Sequence, residues 1–382
     1  MKKICFITTI SLTMNAFIKN FIEYIHEHSD HEIYLICDDS QHMLDSWPDY
    51  AHFLPVSMER GLNFGAIKAT VQMYRLFRQH RFNAVQYTTP NASLYASVAA
   101  RFARIPVRLY CQWGVRYMGF TGAKRSVFKF FEKLTCRNST YIEAESHGIY
   151  NFSLAEKLYT KNKASVTWNG SASGVDLTKF DYQQKESWRH EIREKYSFEN
   201  NDLVFSFAGR LTKDKGVNEL LAAFIRLQSE YKNAHLLIIG GDDNVGSIDP
   251  NLLAQAKNNS HVHFTGNIAC VERYFAAADV FVAPSYREGF GLVVIEAGAM
   301  QLPAIVSNVP GQVDAILPDK TGLLCEVKDS ESLYNAMKIM LSNDRLRLEF
   351  SKNARNWVEN NFEQNRLFSF MWKKRKWLLG DE

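Results

Sequence analysis

Short apolar, β-branched runs alternate along this chain with longer stretches whose apolar residues recur every three to four positions. The first run, at about 3–9, predicts a strand, and a helix at about 15–28 and a strand at about 32–37 follow it. Further strands are expected at 83–87 (NAVQY), 107–111 (VRLYC), 139–144 (STYIEA) and 164–168 (ASVTW), with helices at about 66–80, 92–104 and 124–136. The strands are nearly continuous apolar runs and the connections are long enough for parallel crossovers. Together they imply a doubly wound α/β sheet with helices on both faces.

A polar, turn-rich stretch from Asn169 to about Asn201 contains Gly170, Gly174 and a charged run from Gln183 to Lys195. A fresh series then begins, with strands at 203–208 (LVFSFA), 235–240 (HLLIIG), 261–265, 279–284 (DVFVAP), 303–307 (PAIVS) and 322–326 (GLLCE). The boundary is therefore expected near 170–200, with a first domain over 1–180 and a second over 200–363. A length of 382 residues also favours two cores over one. In sheets of this kind ligands bind beyond the carboxyl ends of the strands. Helices are expected at about 344–361 and 364–379. The last carries Trp372-Lys373-Lys374-Arg375-Lys376-Trp377, too polar for a core and amphipathic enough to lie across another surface. The segment 364–382 is thus expected to pack back on the first domain.

Composition narrows the class. Hydrophobic residues at 46% and charged residues at 23% exclude a long disordered chain. The net charge is only +4, but residues 1–175 hold 20 Lys and Arg against 13 Asp and Glu, while the remainder is mildly acidic. That asymmetry points to an anionic partner or surface for the first half and not to a nucleic-acid-coating protein. Six scattered cysteines without a C-x-x-C pair fit a reducing cytoplasm. The apolar start ICFITTISLTM is interrupted by Thr8, Thr9, Ser11 and Thr13 and is not expected to act as a secretion signal. No window offers the roughly 20 apolar residues of a membrane span.

The most informative window runs from Arg287 to Ala297, REGFGLVVIEA, after a buried strand that ends at Pro284-Ser285. Two glycines at a turn and then helical spacing mark a strand–loop–helix junction, whose free backbone N–H groups can hold an anion. Glu288 and Glu296 bracket it, one in the loop and one about two turns along. Carboxylates that accept from vicinal hydroxyls can read a ribose or a sugar. On spacing alone the same two residues also suit a surface loop and an ordinary exposed helix position. A second window, Ser206 to Gly216 (SFAGRLTKDKG), leaves the first strand of the second half. Arg210 and Lys215 there could neutralise a diphosphate without a metal, or simply be solvated loop cations.

Taken together, these residues resemble the retaining glycosyltransferases of family four, and the bacterial capsule and O-antigen enzymes in particular. The resemblance spans the strand at Met1–Thr9, Asn169-Gly170 with Gly174-Val175-Asp176, Gly209-Arg210 with Lys215-Gly216, Phe264-Thr265-Gly266, Ala283-Pro284-Ser285, and Glu288-x7-Glu296. It implies a GT-B fold, two Rossmann-like doubly wound domains facing a central cleft, with acceptor bound by the first and nucleotide-sugar donor by the second. It further implies that Arg210 and Lys215 beside Gly209 bind the donor diphosphate and that Glu296 holds the ribose. Glu288, with the amides of Gly289, Phe290 and Gly291, would hold the transferred sugar, and Asn267 and Ile268 would sit against the nucleobase. Two departures stand out. Thr8-Thr9-Ile10-Ser11-Leu12-Thr13 occupies the loop where many relatives have Gly-Gly, and Gln112-Trp113-Gly114 stands where many have His-Gly.

Other motifs carry less. Asp242-Asp243 after Gly240-Gly241 is read as a turn and not a metal site. His261 and His263 share a strand face but lack a third ligand for zinc. No hydrolase elbow, P-loop or dinucleotide fingerprint follows a strand. The resemblance implies a retaining transferase, expected to need neither metal nor cofactor. It would move an N-acetylhexosamine or hexose from a UDP-sugar to a polyprenyl-diphosphate-linked saccharide. A GT-B nucleotide-sugar epimerase and a non-catalytic nucleotide-sugar-binding protein are the alternatives. A cytoplasmic, peripheral location at the inner face of the plasma membrane is also expected. Between 101 and 137 nine Lys and Arg face one acid, Glu132, and Lys124, Arg125, Lys129 and Lys133 interleave with Val127, Phe128, Phe130, Phe131 and Leu134. The same phenylalanines could instead pack into the first domain.

Overall fold

The computed structural model describes residues 1–40, 42, 47–58, 64–241 and 247–381. The Asp242-Asp243 turn lies outside the described residues. The chain forms two compact units, Met1–Ser173 with Asn365–Glu382, and Gly174–Gln364. The first is built on β1 (Lys3–Ile10), β2 (Glu32–Asp38), β3 (Ala51–Phe53), β4 (Ala84–Tyr87), β5 (Val107–Gln112), β6 (Tyr141–Ala144) and β7 (Ala164–Val166). All pair in parallel, in the order β3-β2-β1-β4-β5-β6-β7. The apolar start of the chain is thus the central strand. Helices α1 (Ser11–Phe17) and α2 (Lys19–His28) cover one face of the sheet, where the expected single helix is broken at Ile18. Helices α3 (Phe64–His80), α4 (Pro90–Phe102), α5 (Gly122–Asn138) and α6 (His147–Ala155) cover the other.

The second unit begins with α7 (Lys185–Lys195), which the sequence pattern presents as linker. Its charged residues are structural. Arg189 donates to the carbonyls of Ala276, Ala277 and Ala278 and to Asp279, and buried Arg193 donates to Ala277, Glu199 and Asp202 carbonyls. Guanidinium groups here satisfy carbonyls at the end of a helix, a use of charge that hydropathy does not reveal. The sheet comprises β8 (Leu203–Ala208), β9 (Ala234–Ile239), β10 (Val262–Phe264), β11 (Val280–Ala283), β12 (Ala304–Ser307) and β13 (Gly322–Cys325). Its order is β10-β9-β8-β11-β12-β13 and every pairing is parallel. Helices α8 (Val217–Glu230), α9 (Pro250–Lys257) and α12 (Ser330–Ser342) pack on one face. On the other face α7 lies with α10 (Val271–Ala277), α11 (Leu292–Ala299) and α13 (Asp344–Asn361).

The last helix, α14 (Gln364–Leu379), returns to the first unit. Leu367, Phe368, Met371 and Trp372 join the core over α2. Arg375, expected on a polar face, is only 4% exposed. It forms a bidentate pair with Glu143 (2.6 and 2.7 Å) and donates to the Gln86 side chain at 3.0 and 3.1 Å. Burial pushes the Glu143 carboxyl up, but Arg375 and the Thr167 hydroxyl outweigh that and hold it below the usual carboxylate range. Removing one partner of such a buried pair leaves a bare charge, at a cost of about 3–5 kcal/mol. Arg375→Met is therefore expected to destabilise the first unit by that amount in urea unfolding. Glu143→Gln/Arg375→Met should recover most of the loss, and a single-variant cost below about 1 kcal/mol would refute the assignment.

Candidate functional site

Strands β8 and β11 are hydrogen-bonded neighbours, so the loops leaving their carboxyl ends lie side by side. The first loop makes a 3₁₀ turn at Lys213–Lys215 and enters α8 through Gly216. Gly216 has φ +72°, and a Cβ there would lie 1.9 Å from the Pro284 carbonyl oxygen, so only glycine lets this loop close on the end of β11. Gly311, in the loop after β12, has φ +92°, and a Cβ would come within 2.3 Å of the Gly289 carbonyl oxygen and 2.7 Å of that of Glu288. Three loops from three adjacent strands are pressed together by these two positions.

The side chains they present form a connected polar set. Lys215 donates to Glu288 at 2.5 Å, with the two side chains 25% and 17% exposed. Asp214 pairs with Arg287 at 3.0 Å, accepts from the Thr212 hydroxyl at 2.6 Å, and takes the Tyr286 N–H on its carbonyl at 2.9 Å. Burial pushes the Asp214 carboxyl up, yet Thr212, Arg287, Arg210 and Lys215 together hold it below its ordinary range. Arg210 is exposed on the same loop. Tyr286 donates to Glu219 of α8 at 2.6 Å, fixing the second loop to the helix that follows the first.

Helix α11 starts after Gly291, with its first-turn N–H groups and positive dipole end at this loop. Just over one turn into this helix, Glu296 carries a carboxyl that burial pushes up to about 7. Lys179 opposes the shift and the Glu272 carboxylate adds to it. Glu272 is 8% exposed and its Oε2 is buried without a hydrogen-bond partner.

The structure thus joins Lys215 directly to Glu288 and sets Arg210 in the same field, a pairing that spacing did not reveal. The Phe290 ring is core: it is 1% exposed and packs edge-to-face on Phe362 at 5.2 Å, so only its backbone is available to a ligand. Gly209 donates its N–H to the Ile239 carbonyl, the Asn267 side chain lies over Gly241, and Ile268 packs partly into the second core. Asp214, Arg287, Tyr286, Glu219 and Gly311 were given no role by the sequence. Asp214 and Arg287 lie inside the two informative windows, but their pairing depends on the β8–β11 adjacency.

In the first unit the segment in place of His-Gly is structural. The buried Gln112 amide donates to Glu132 at 2.7 Å and accepts from Ser153 and Tyr159 at 3.1 Å, and Trp113 packs on Phe17 at 5.3 Å. Thr9 bonds Thr89 at 2.7 Å and Thr8 donates to the Ile10 carbonyl. His261 and His263 lie with His235 beside Asp202, and His235 contacts the His263 ring nitrogen at 3.2 Å and Asp202 at 3.3 Å. Among the described residues no group of three or more His, Cys, Asp or Glu is arranged to hold a metal ion.

Comparison with known proteins places this arrangement. Residues 189–357, which carry every side chain of the site, match the family model "Glycosyl transferases group 1", and residues 3–146 match "Glycosyl transferase 4-like". The chain belongs to these family-four-like glycosyltransferases. The glycosyltransferase is 28% identical over 362 residues to the capsular polysaccharide biosynthesis glycosyltransferase CapM of Staphylococcus aureus, covering 94% of this chain and 93% of that protein. It is 26% identical over 342 residues, 87% of this chain and 85% of the relative, to UDP-Gal:alpha-D-GlcNAc-diphosphoundecaprenol alpha-1,3-galactosyltransferase of Escherichia coli. Among solved structures, a glycosyltransferase from Rickettsia africae superposes with a TM-score of 0.78 at 19% identity, covering 100% of this chain and 99% of that one. That likeness carries the GT-B fold.

The raised carboxyl of Glu296 has a consequence for stability. Between about 4.5 and 7 the folded glycosyltransferase keeps a proton that the unfolded chain releases, so this group's contribution to stability falls as pH rises through that window. Glu296→Gln is expected to raise the unfolding free energy at pH 8 by roughly 1–2 kcal/mol and to have little effect at pH 4.5. Urea titrations at the two pH values measure this, and an equal effect at both would refute it.

Proposed function

We propose that this glycosyltransferase moves a sugar, an N-acetylhexosamine or hexose, from a UDP-sugar to a polyprenyl-diphosphate-linked saccharide in capsule or O-antigen assembly, with retention of configuration and without a metal. The observation that carries the reading is the set of charges at the joined ends of β8 and β11. Two cations, Lys215 and Arg210, stand beside a helix N-terminus and next to a carboxylate. Such a set suits a pyrophosphate attached to a hydroxyl-rich group. The E. coli relative, named for UDP-Gal as donor and a GlcNAc-diphosphoundecaprenol acceptor, supports the substrate classes, and its alpha-1,3 linkage supports retention.

Lys215 and Arg210 hold the donor diphosphate and stabilise the charge that grows on it as the glycosidic bond breaks. In a retaining displacement without a protein nucleophile, the leaving diphosphate takes the acceptor proton on the same face of the sugar. Glu288, released from Lys215 as the diphosphate engages that ammonium, accepts from the hydroxyls of the transferred sugar. The amides of Gly289, Phe290 and Gly291 line it, while Glu296 accepts from the ribose and Asn267 and Ile268 flank the base. A peripheral location at the cytoplasmic membrane face would bring a lipid-linked acceptor to the first unit. No helix among the described residues is long and apolar enough to cross a membrane.

The test is incubation with a panel of nucleotide sugars and extracted polyprenyl-diphosphate saccharides, followed by mass and anomer analysis. A product of inverted configuration, or none with any acceptor, would refute the proposal. Lys215→Ala and Arg210→Ala are each expected to lower kcat/KM about a hundredfold, equivalent to about 3 kcal/mol of transition-state stabilisation, with circular dichroism unchanged. Chelation by EDTA should leave the rate unaltered, and rescue of a lost rate by Mn²⁺ would overturn the metal-independent reading.

A further inference from the structure

Residues 64–138 contain thirteen Lys and Arg and a single acid, Glu132, which is buried and accepts from Tyr110 and Gln112. Nine of the thirteen lie on one layer of the first unit, in which α4 packs between α3 and α5 on the same face of the sheet. The phenylalanines of α5 divide. Phe128 packs on Phe120, while Phe130 and Val127 are 62% and 48% exposed. Two of the α5 cations, Arg125 and Lys129, are neutralised by Glu156.

A stronger apolar feature lies on α3. Ala66, Ala69, Met73 and Phe77 face the core, yet Phe64, Ile67, Val71 and Tyr74 are 90%, 63%, 42% and 39% exposed. At 100° per residue these four and the exposed Lys68, Arg75 and Arg78 fall within one outward sector of about 120°. A helix with a core stripe on one side and a second apolar stripe interleaved with cations on the other is not explained by the packing of its own domain. The α3 sequence has no acid. The exposed apolar stripe and the cations beside it point to an occupant that is anionic at its surface and apolar beneath, which is an anionic bilayer.

We infer that α3 is the element that enters the membrane interface, burying Ile67, Val71 and Tyr74 among the acyl chains while Lys68, Arg75 and Arg78 meet the headgroups. The inference rests on the peripheral location proposed above and deepens it, because it moves the anchoring element from α5 to α3. It also sets the geometry. The exposed stripe occupies the N-terminal part of α3, which follows the carboxyl end of β3, so the carboxyl edge of the first sheet is brought toward the lipid.

Co-sedimentation with phosphatidylglycerol-containing vesicles tests this, with phosphatidylcholine vesicles as the neutral comparison. The intact chain should bind the anionic vesicles at low salt and lose most of that binding at high salt. Ile67→Glu/Val71→Glu, at exposed positions that leave circular dichroism unchanged, should weaken binding about tenfold or more. Leu348→Glu, at an equally exposed apolar position of the second unit, should have no effect. If the unaltered chain ignores anionic vesicles, the peripheral reading fails and this inference with it. If it binds and Ile67→Glu/Val71→Glu binds equally, α3 is not the anchor although the peripheral reading stands. If sedimentation equilibrium shows a dimer that the same variant dissolves, the stripe serves a second copy of the chain and the inference is overturned.

Discussion

The ion pair between Lys215 and Glu288 ties together two loops that leave adjacent parallel strands, and the arrangement of the site follows from it. Parallel pairing of β8 with β11 puts both loops at one edge of the sheet, where each is followed by a helix start. The pair could not form if either loop stood away from the strand ends. Gly216 and Gly311 prevent that by allowing backbone approaches that any Cβ would block. Asp214 adds a second tie through Arg287, and Tyr286 a third through Glu219. The result is a pre-positioned set of charges, in which any anion that engages Lys215 must compete with Glu288 for it. Under the proposed function, binding the donor and freeing the carboxylate for the sugar are one event.

Much of this was legible in the chain. The strands of both sheets could be read because a parallel sheet covered on both faces demands continuous apolar runs. The two windows around Lys215 and Glu288 could be read because a glycine-bearing turn between a strand and a helix is a local signal. The rest was hidden for specific reasons. Helix α7 has a hydrophilic sequence because its arginines serve the carbonyls of a neighbouring helix. Arg375 looked like a surface residue because its partner, Glu143, lies 232 positions away. Phe290 sits between two glycines of the motif, and only the packing on Phe362 shows that its ring is part of the core. The strand β3 is three residues long and too short for its pattern to register.

The carboxyl groups show where the fold accepts cost for function. Glu143 is buried with a bidentate guanidinium and is held ionised, a structural use of charge. Glu296 is half-buried without such a partner and near Glu272, whose Oε2 is buried and unpartnered, so its ionisation is opposed. A carboxylate maintained against that opposition makes sense where a ligand supplies the missing donors, and ribose hydroxyls are such donors. The contrast separates a carboxylate held ionised by a structural partner from one whose charge the fold leaves uncompensated, as the proposed ribose contact would require.

A double-mutant cycle on Lys215 and Glu288, read as kcat/KM for transfer from a UDP-sugar, tests most directly whether these two residues act together on one donor. Losses from Lys215→Ala and Glu288→Ala should be non-additive, the double variant losing more than the product of the two single effects because each single variant also removes the ion pair that donor binding must break, while each variant unfolds within about 1 kcal/mol of the parent. Fully multiplicative losses, or near-parental transfer in the double variant, would contradict the account.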